Sequence, residues 1–224
     1  MKITKHGIAI LENDNCICKW VEESGRLDHD QNMLPRVLKH INPGNLVIDA
    51  GAFIGDHTIA YARKVGVTGM VFAFEPNADS FECLKYNMVK FNVDSIVNCL
   101  NQGLGSKISK VKVNRISENE GMAYLSDGGE IKVYPIDHFD FHRVDFIKID
   151  VEGYELEILK GVTETIKKFK PKMLIEINQM ALERMNLKRE DIFQFLDEHG
   201  YKYENIYPQQ GLNEYQMDIL CLPK

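Results

Sequence analysis

The chain has 224 residues, 44% of them hydrophobic, and a formal net charge of −6 at pH 7. That is enough length and apolar content for one globular domain with a full core, expected over residues 1–224. No apolar run approaches the ~18 residues of a membrane span, and the acidity argues against nucleic acid as a partner, since phosphate contacts want a basic face.

From the N-terminus, Met1-Lys-Ile-Thr-Lys-His6 lacks the apolar centre of a secretory leader. Ile3–Leu11 and Asn15–Val21 are short runs split by Glu12-Asn-Asp-Asn15, a pattern that predicts a hairpin. Asp30–Ile41 has helical spacing, with Leu34, Leu38 and Ile41 on one side and Pro35 in the first turns, where proline is tolerated. Residues 1–41 therefore form an extension outside the core, ended by the turn Asn42-Pro-Gly-Asn45.

Leu46-Val-Ile48 is the kind of apolar run a buried parallel strand uses. Asp49 is expected to end it, and Gly51 and Gly55 lead into a helix over His57–Val65. Strand, glycine turn and helix N-terminus form a cradle for a nucleotide-like ligand, with Gly51 leaving room for its close approach. A dinucleotide fingerprint needs glycine where this chain has Phe53 and Asp56, and no Gly-Lys-Ser/Thr follows Gly55. Glu75 ends the next run, Met70–Phe74, where an acid can accept both hydroxyls of a ribose. The cradle thus suits a cationic adenosine ligand better than a polyanion.

A helix over Ala78–Phe91 carries the stripe Phe81, Leu84, Met88 and Phe91, and Ser95–Leu100 is the third core strand. In residues 106–136 the period changes to two. Lys110–Val113 and Glu130–Tyr134 predict an inserted antiparallel β-hairpin with a mobile tip over Glu118–Gly129. Asp145–Ile149 is the fourth core strand, followed by a helix over Tyr154–Phe169 and a strand over Lys172–Ile177. A helix over Asp191–Glu198 and strands over Tyr201–Tyr207 and Met217–Leu222 complete the chain. The alternation predicts an α/β fold with a doubly wound, mostly parallel sheet. Asp49, Glu75, Asn101, Asp150 and Glu176 all fall at strand ends, the edge where ligands bind in such sheets. The cysteines Cys16, Cys18, Cys83, Cys99 and Cys221 have no zinc spacing, and their odd number suggests reduced thiols in a cytoplasmic protein.

Three stretches together carry a resemblance: Asp49-Ala-Gly-Ala-Phe-Ile-Gly-Asp-His-Thr58, Phe74-Glu-Pro-Asn77 and Ile147-Lys-Ile-Asp-Val-Glu-Gly153. In that order they resemble the signatures of the FkbM-type S-adenosylmethionine (SAM) methyltransferases, over roughly Asn42 to Asn178. One departure is Phe53, where the family usually has Asn. The resemblance implies a seven-stranded, Rossmann-like class I methyltransferase sheet whose last two strands form a hairpin. It also implies that SAM is the cofactor. Asp49, Gly51, Phe53 and Gly55 would lie along its methionine part, Thr58 would either touch the methionine carboxylate or cap the helix, and Glu75 would take the ribose hydroxyls. Pro76 and Asn77 would flank the adenine edge, with Asn101, Gln102 and Gly103 walling the base.

Methyl transfer is an in-line displacement in which alignment does much of the work, and an alcohol acceptor also needs a base. The candidates are Asp150, then Glu152, then His57, with Glu176 also at a strand end. Lys148, inside an apolar strand, either snorkels from the sheet or reaches the site. Asp150 and Glu152, two apart, do not make a divalent metal site, and no metal is assigned. Asp150-Val-Glu-Gly153 replaces the Pro-Pro motif of DNA amine methyltransferases, and there is no Pro-Cys pair for cytosine chemistry. The resemblance points to O-methylation of a hydroxyl on a small molecule or glycan. N-methylation of an amine and a non-catalytic SAM-binding module stay open, and the sequence assigns no oligomer.

Overall fold

A computed structural model describes residues 1–28, 30–116, 119–212 and 214–224. The N-terminal segment opens with strands β1 (Lys2–Ile3) and β2 (Ala9–Ile10), which pair antiparallel around the Thr4–Gly7 turn. The expected second strand over Asn15–Val21 is instead helix α1 (Ile17–Ser24). Asp14 Oδ1 accepts hydrogen bonds from the backbone N–H groups of Cys16 and Cys18, and Cys18 and Val21 turn inward three apart. Helix α2 (Leu34–Val37) and a 3₁₀ turn (Leu38–His40) follow, shorter than the spacing predicts.

The core alternates strands and helices: β3 (Leu46–Ala50), α3 (Asp56–Val65), β4 (Met70–Phe74), α4 (Ala78–Lys90) and β5 (Val97–Leu100). Four short strands then build a second sheet: β6 (Gly103–Leu104), β7 (Ser109–Asn114), β8 (Tyr124–Asp127) and β9 (Ile131–Tyr134), in the order β6-β9-β7-β8. The predicted pair is β7 with β9, while the expected mobile tip contains β8. Ser117 and Glu118 of that tip lie outside the described residues. The main fold resumes with β10 (Phe146–Ile149), α5 (Glu155–Lys160) and α6 (Thr163–Phe169). The single helix expected there is broken at Gly161, whose missing Cβ would lie 2.0 Å from the carbonyl oxygen of Gly105. Strand β11 (Lys172–Asn178), helices α7 (Gln179–Arg184) and α8 (Arg189–Glu198), and strands β12 (Tyr201–Asn205) and β13 (Gln216–Pro223) complete the fold. Helix α7 has no counterpart in the sequence reading.

The large sheet has the order β12-β13-β11-β10-β3-β4-β5, and β13 alone runs antiparallel to its neighbours. Alternate strand residues feed two cores, as period two dictates when both faces are covered. Val47, Val71 and Phe146 pack with α3, α4 and the N-terminal segment, while Ile48, Ile147 and Ile175 pack with α5, α6 and α8. No helix among the described residues is long and apolar enough to cross a membrane.

Candidate active site

Strand register places the charged groups. Lys148 on β10 is the parallel partner of Asp49 on β3, so both side chains leave one face of the sheet. The Lys148 ammonium lies 3.0 Å from Asp150 Oδ2 and 3.6 Å from Asp49 Oδ1, and it donates to the carbonyl of Gly51 at 2.8 Å. Lys148 is buried but lines the cavity, so it reaches the site. Strand β3 runs on through Asp49 to Ala50, which leaves Asp49 beneath the cleft edge instead of at it. Thr58 Oγ1 donates to Asp49 Oδ2 at 2.6 Å. Burial pushes the Asp49 carboxyl up, against the pull of Lys148 and Thr58.

A cavity of about 580 Å³ opens beyond the carboxyl ends of the parallel strands. From the β4–β5 side come Glu75, Pro76, Asn77, Ser80, Gln102 and Gly103. Glu75 accepts from the backbone N–H of Phe53 and of Asn77, each at 2.8 Å, which fixes its carboxylate across the glycine turn. Burial nevertheless pushes it up to about 7. From the β10, β11 and β13 side come Asp150, Glu152, Glu176, Asn178 and Asp218. Ile17, Met33, Phe53, Met122 and Leu125 add an apolar wall from the N-terminal segment, the glycine turn and the insertion.

The acids share protons unequally. Burial would raise Asp150, but Lys148 and a hydrogen bond from Glu176 hold it below the usual carboxylate range. Glu176, buried beside that negative charge, is pushed well up and keeps the proton. Burial, then Asp150 and Glu155, push Glu152 up to about 8. Burial, then Asp150 and Asp30, push Asp218 up to about 7. His57 lies 3.3 Å from Asp30 and 3.9 Å from Asp56, and against the effect of burial these acids raise it. Oxygens of Asp150, Glu152 and Glu176 lie within 4.8 Å of one another. That spacing would suit a divalent cation, and the sequence reading had two of its three acids. In the described structure the Asp150–Glu176 hydrogen bond and a 2.6 Å bond from Gln216 to Glu176 engage the same groups.

Residues 49–203 match the model of the methyltransferase FkbM domain, which is well over half of the chain. The chain belongs to the FkbM methyltransferase family. Among its relatives is the hexuronic acid methyltransferase AglP of Haloferax volcanii, 28% identical over 160 residues, 66% of this chain. The chain spans 63% of that protein's length. A solved FkbM methyltransferase from Methylobacillus flagellatus superposes with a TM-score of 0.54 at 20% identity, over 80% of this chain and 43% of that one. A SAM-dependent O-methyltransferase from Thermotoga maritima gives 0.54 at 14% identity, over 87% of this chain and 65% of that one. These neighbours share the Rossmann-like sheet. At these identities the solved structures bear on the fold alone.

The cavity of this FkbM protein presents polar atoms that the fold leaves unmet. Asn77 Nδ2, Ser80 Oγ and Gln102 Oε1 are buried without hydrogen-bond partners and belong to cavity-lining residues. Donors and acceptors left unmet in a buried wall cost stability unless a ligand meets them.

The sequence-predicted residues separate into two sets. Gly51, Phe53, Glu75, Pro76, Asn77, Gln102 and Gly103 line the cavity with His57, Asp150 and Glu152, while Asp49, Gly55 and Thr58 do not. Thr58 neither caps α3 nor faces the cavity; it holds Asp49. Gly51, which lines the cavity, is glycine also for a packing reason. At φ 79° its Cβ would lie 1.9 Å from the carbonyl oxygen of Asp150, so the glycine admits the neighbouring loop before any ligand. At Gly55 a Cβ would meet Met88 at 2.4 Å, making it a packing residue for α4. Asn101 donates to the carbonyls of Glu75 and Pro76 and braces that turn. Sequence reasoning missed Ser80, Asp30 and Asp218. Asp218 was discoverable: it pairs with Glu176 once the last strand is laid antiparallel on β11.

Proposed function

We propose that the protein is a SAM-dependent O-methyltransferase acting on a sugar hydroxyl, with Glu152 as the base. The observation that carries this is the pair of unlike carboxylates at one loop, Asp150 held ionised by Lys148 and Glu152 raised to about 8. Two acids driven apart in proton affinity divide acid–base roles. A base works best when its pKa lies near the operating pH, which favours Glu152 over the strongly stabilised Asp150. His57 is engaged by Asp30 at 3.3 Å and Asp56 at 3.9 Å and is the weaker base candidate.

When bound, SAM would supply a methyl group activated on a sulfonium, with a neutral thioether as the leaving group. Glu75 suits the ribose diol, and the Asn77, Ser80 and Gln102 atoms suit the edge of the base. Asp150 stays ionised and can accept a hydrogen bond from the acceptor. Glu152 takes the hydroxyl proton. The apolar wall excludes water that would compete for the methyl. The sugar class draws support from the name of the Haloferax relative.

The test is transfer of labelled methyl from SAM to a panel of simple glycosides, by wild type and Glu152→Gln. Transfer to a hydroxyl is expected. The variant should lose about 10²–10⁴-fold in kcat, while its affinity for S-adenosylhomocysteine changes by less than about threefold, roughly 0.7 kcal/mol. Full activity in Glu152→Gln would remove it as base, and transfer to amines alone would replace the O-methyl reading by the N-methyl one.

A further inference from the structure

Helix α7 brackets the loop that carries Glu152. Gly153, at φ 108°, brings the two together: a Cβ there would lie 2.5 Å from the carbonyl oxygen of Ala181, so the missing side chain lets the loop sit on the helix. Glu152 is itself held at φ 54°, a conformation that a non-glycine residue keeps when its surroundings enforce it. The two ends of α7 supply those surroundings. At the start, Asn178 accepts from the Ala181 N–H and donates from its amide to Glu152 Oε2, each at 3.4 Å. At the end, Arg184 Nη2 lies 3.7 Å from the same carboxylate oxygen.

The Arg184 contact is one of charge. At 3.7 Å it is too long for a hydrogen bond, yet close enough to favour an ionised carboxylate. The guanidinium does not line the cavity; it lies over the Tyr124 ring, 4.7 Å from the centroid. A planar, weakly hydrated cation stacked on an aromatic face is held in place at little cost. Tyr124 begins β8 of the inserted sheet, and its neighbours Ala123 and Leu125 line the cavity. One cation thus joins the insertion, α7 and the loop after β10. The other charged groups that act on Glu152 are acids: Asp150 on the same loop, Glu155 at the start of α5 and Glu176 on β11. Lys148 on β10 is engaged by Asp150 and Asp49.

We propose that Arg184 is a positioning residue for the base: it stands behind Glu152 as a counter-charge and, through Tyr124, ties that counter-charge to the inserted sheet. This rests on the reading of Glu152 as the base. A carboxyl must be ionised to take the hydroxyl proton, and burial together with the neighbouring acids opposes that. Arg184 pulls the other way. Because it does so from outside the cavity, it takes no space from the acceptor. The seating of Tyr124 and the readiness of the base become one event.

The experiment measures kcat against pH with labelled SAM and the glycoside panel for wild type, Arg184→Met, Arg184→Lys and Tyr124→Leu. Urea midpoints and S-adenosylhomocysteine titration are the controls for an intact fold and cradle. Arg184→Met keeps an apolar stem for the Tyr124 ring but no charge. The rising limb of its kcat profile should move up by about 1 unit or more. At pH 7 it should run about tenfold slower than wild type, a deficit that closes as the pH rises. Arg184→Lys restores the charge and should hold the limb within about half a unit of wild type. Tyr124→Leu should move the limb in the same direction as Arg184→Met, by less. A deficit that is equal at every pH in Arg184→Met would overturn the proposal and leave Glu152 as the base. So would a limb in Arg184→Lys displaced as far as in Arg184→Met, with the urea midpoint of wild type. Full activity in Glu152→Gln, or no transfer to any acceptor by a protein that binds S-adenosylhomocysteine, would instead remove the base reading and the role of Arg184 with it.

Discussion

Glu152→Gln should flatten the pH dependence of folding stability. Glu152 is 8% exposed, at φ 54° in the loop after β10, with Asn178 donating to it at 3.4 Å. Burial beside Asp150 and Glu155 pushes it to about 8, whereas an unfolded glutamate titrates near ~4.3. The folded value lies above the unfolded one, so the contribution is fully present below about pH 4. As pH rises, the unfolded chain releases its proton while the folded chain keeps it, and stability falls by up to about 1.4 kcal/mol per pH unit. The loss is complete above about pH 8 and totals on the order of 5 kcal/mol. Gln keeps an acceptor for Asn178 and never ionises. The variant should therefore gain on wild type steadily between pH 5 and 8, read as urea midpoints without ligand. Glu75, Glu155 and Asp218 are raised as well, each to about 7, but they are present in both proteins and largely cancel in the difference. A wild-type-to-variant difference that stays constant over that range would refute the reasoning.

Glu75→Gln must turn an NH₂ group toward the backbone N–H of Phe53 or Asn77; S-adenosylhomocysteine affinity should drop about 10–100-fold, or ~1.4–2.8 kcal/mol. Calorimetric titration measures this, and unchanged affinity would remove Glu75 from the ribose role. Lys148→Met strips the buried cation from Asp49 and Asp150 and should cost about 3–5 kcal/mol in urea unfolding, part of it restored by adding Asp49→Asn. No restoration would mean that Asp49 is not the group Lys148 serves. Gly51→Ala pushes a methyl into the Asp150 carbonyl at a left-handed φ and should cost more than about 2 kcal/mol, measured in the same assay.

The parallel core was legible because its signals are local. Runs such as Met70–Phe74 and Phe146–Ile149 are short, apolar and bounded, and the acids that follow them, Glu75 and Asp150, mark the cleft edge. What stayed hidden depends on partners distant in sequence. Asn15–Val21 has apolar residues that fit a strand as well as a helix, and the cap from Asp14 decides for the helix. Gly51 reads as a ligand cradle until the Asp150 carbonyl is seen beside it. Asp49 and Thr58 belong to the same stretch as Gly51 and Phe53 but face each other below the cavity. The order of proton affinities among Asp150, Glu152 and Glu176 could not be read from the chain, because it depends on burial and on a lysine supplied by register.

That register ties strand pairing to the chemistry. Lys148 meets Asp150 because residues two apart on a strand share a face, and it meets Asp49 because β10 and β3 pair in step. Its charge lets Asp150 stay ionised, and the Asp150 charge in turn leaves Glu176 holding the shared proton and Glu152 raised. A slip of one residue between β10 and β3 would send Lys148 to the opposite face, among Ile48, Ile147 and the α5–α6 core. An unpaired ammonium there is so costly that the functional register is also the stable one. The ion group that sets the protonation of the acceptor side thus also guards the pairing of the central strands, which is why Lys148→Met is expected to change stability and catalysis together.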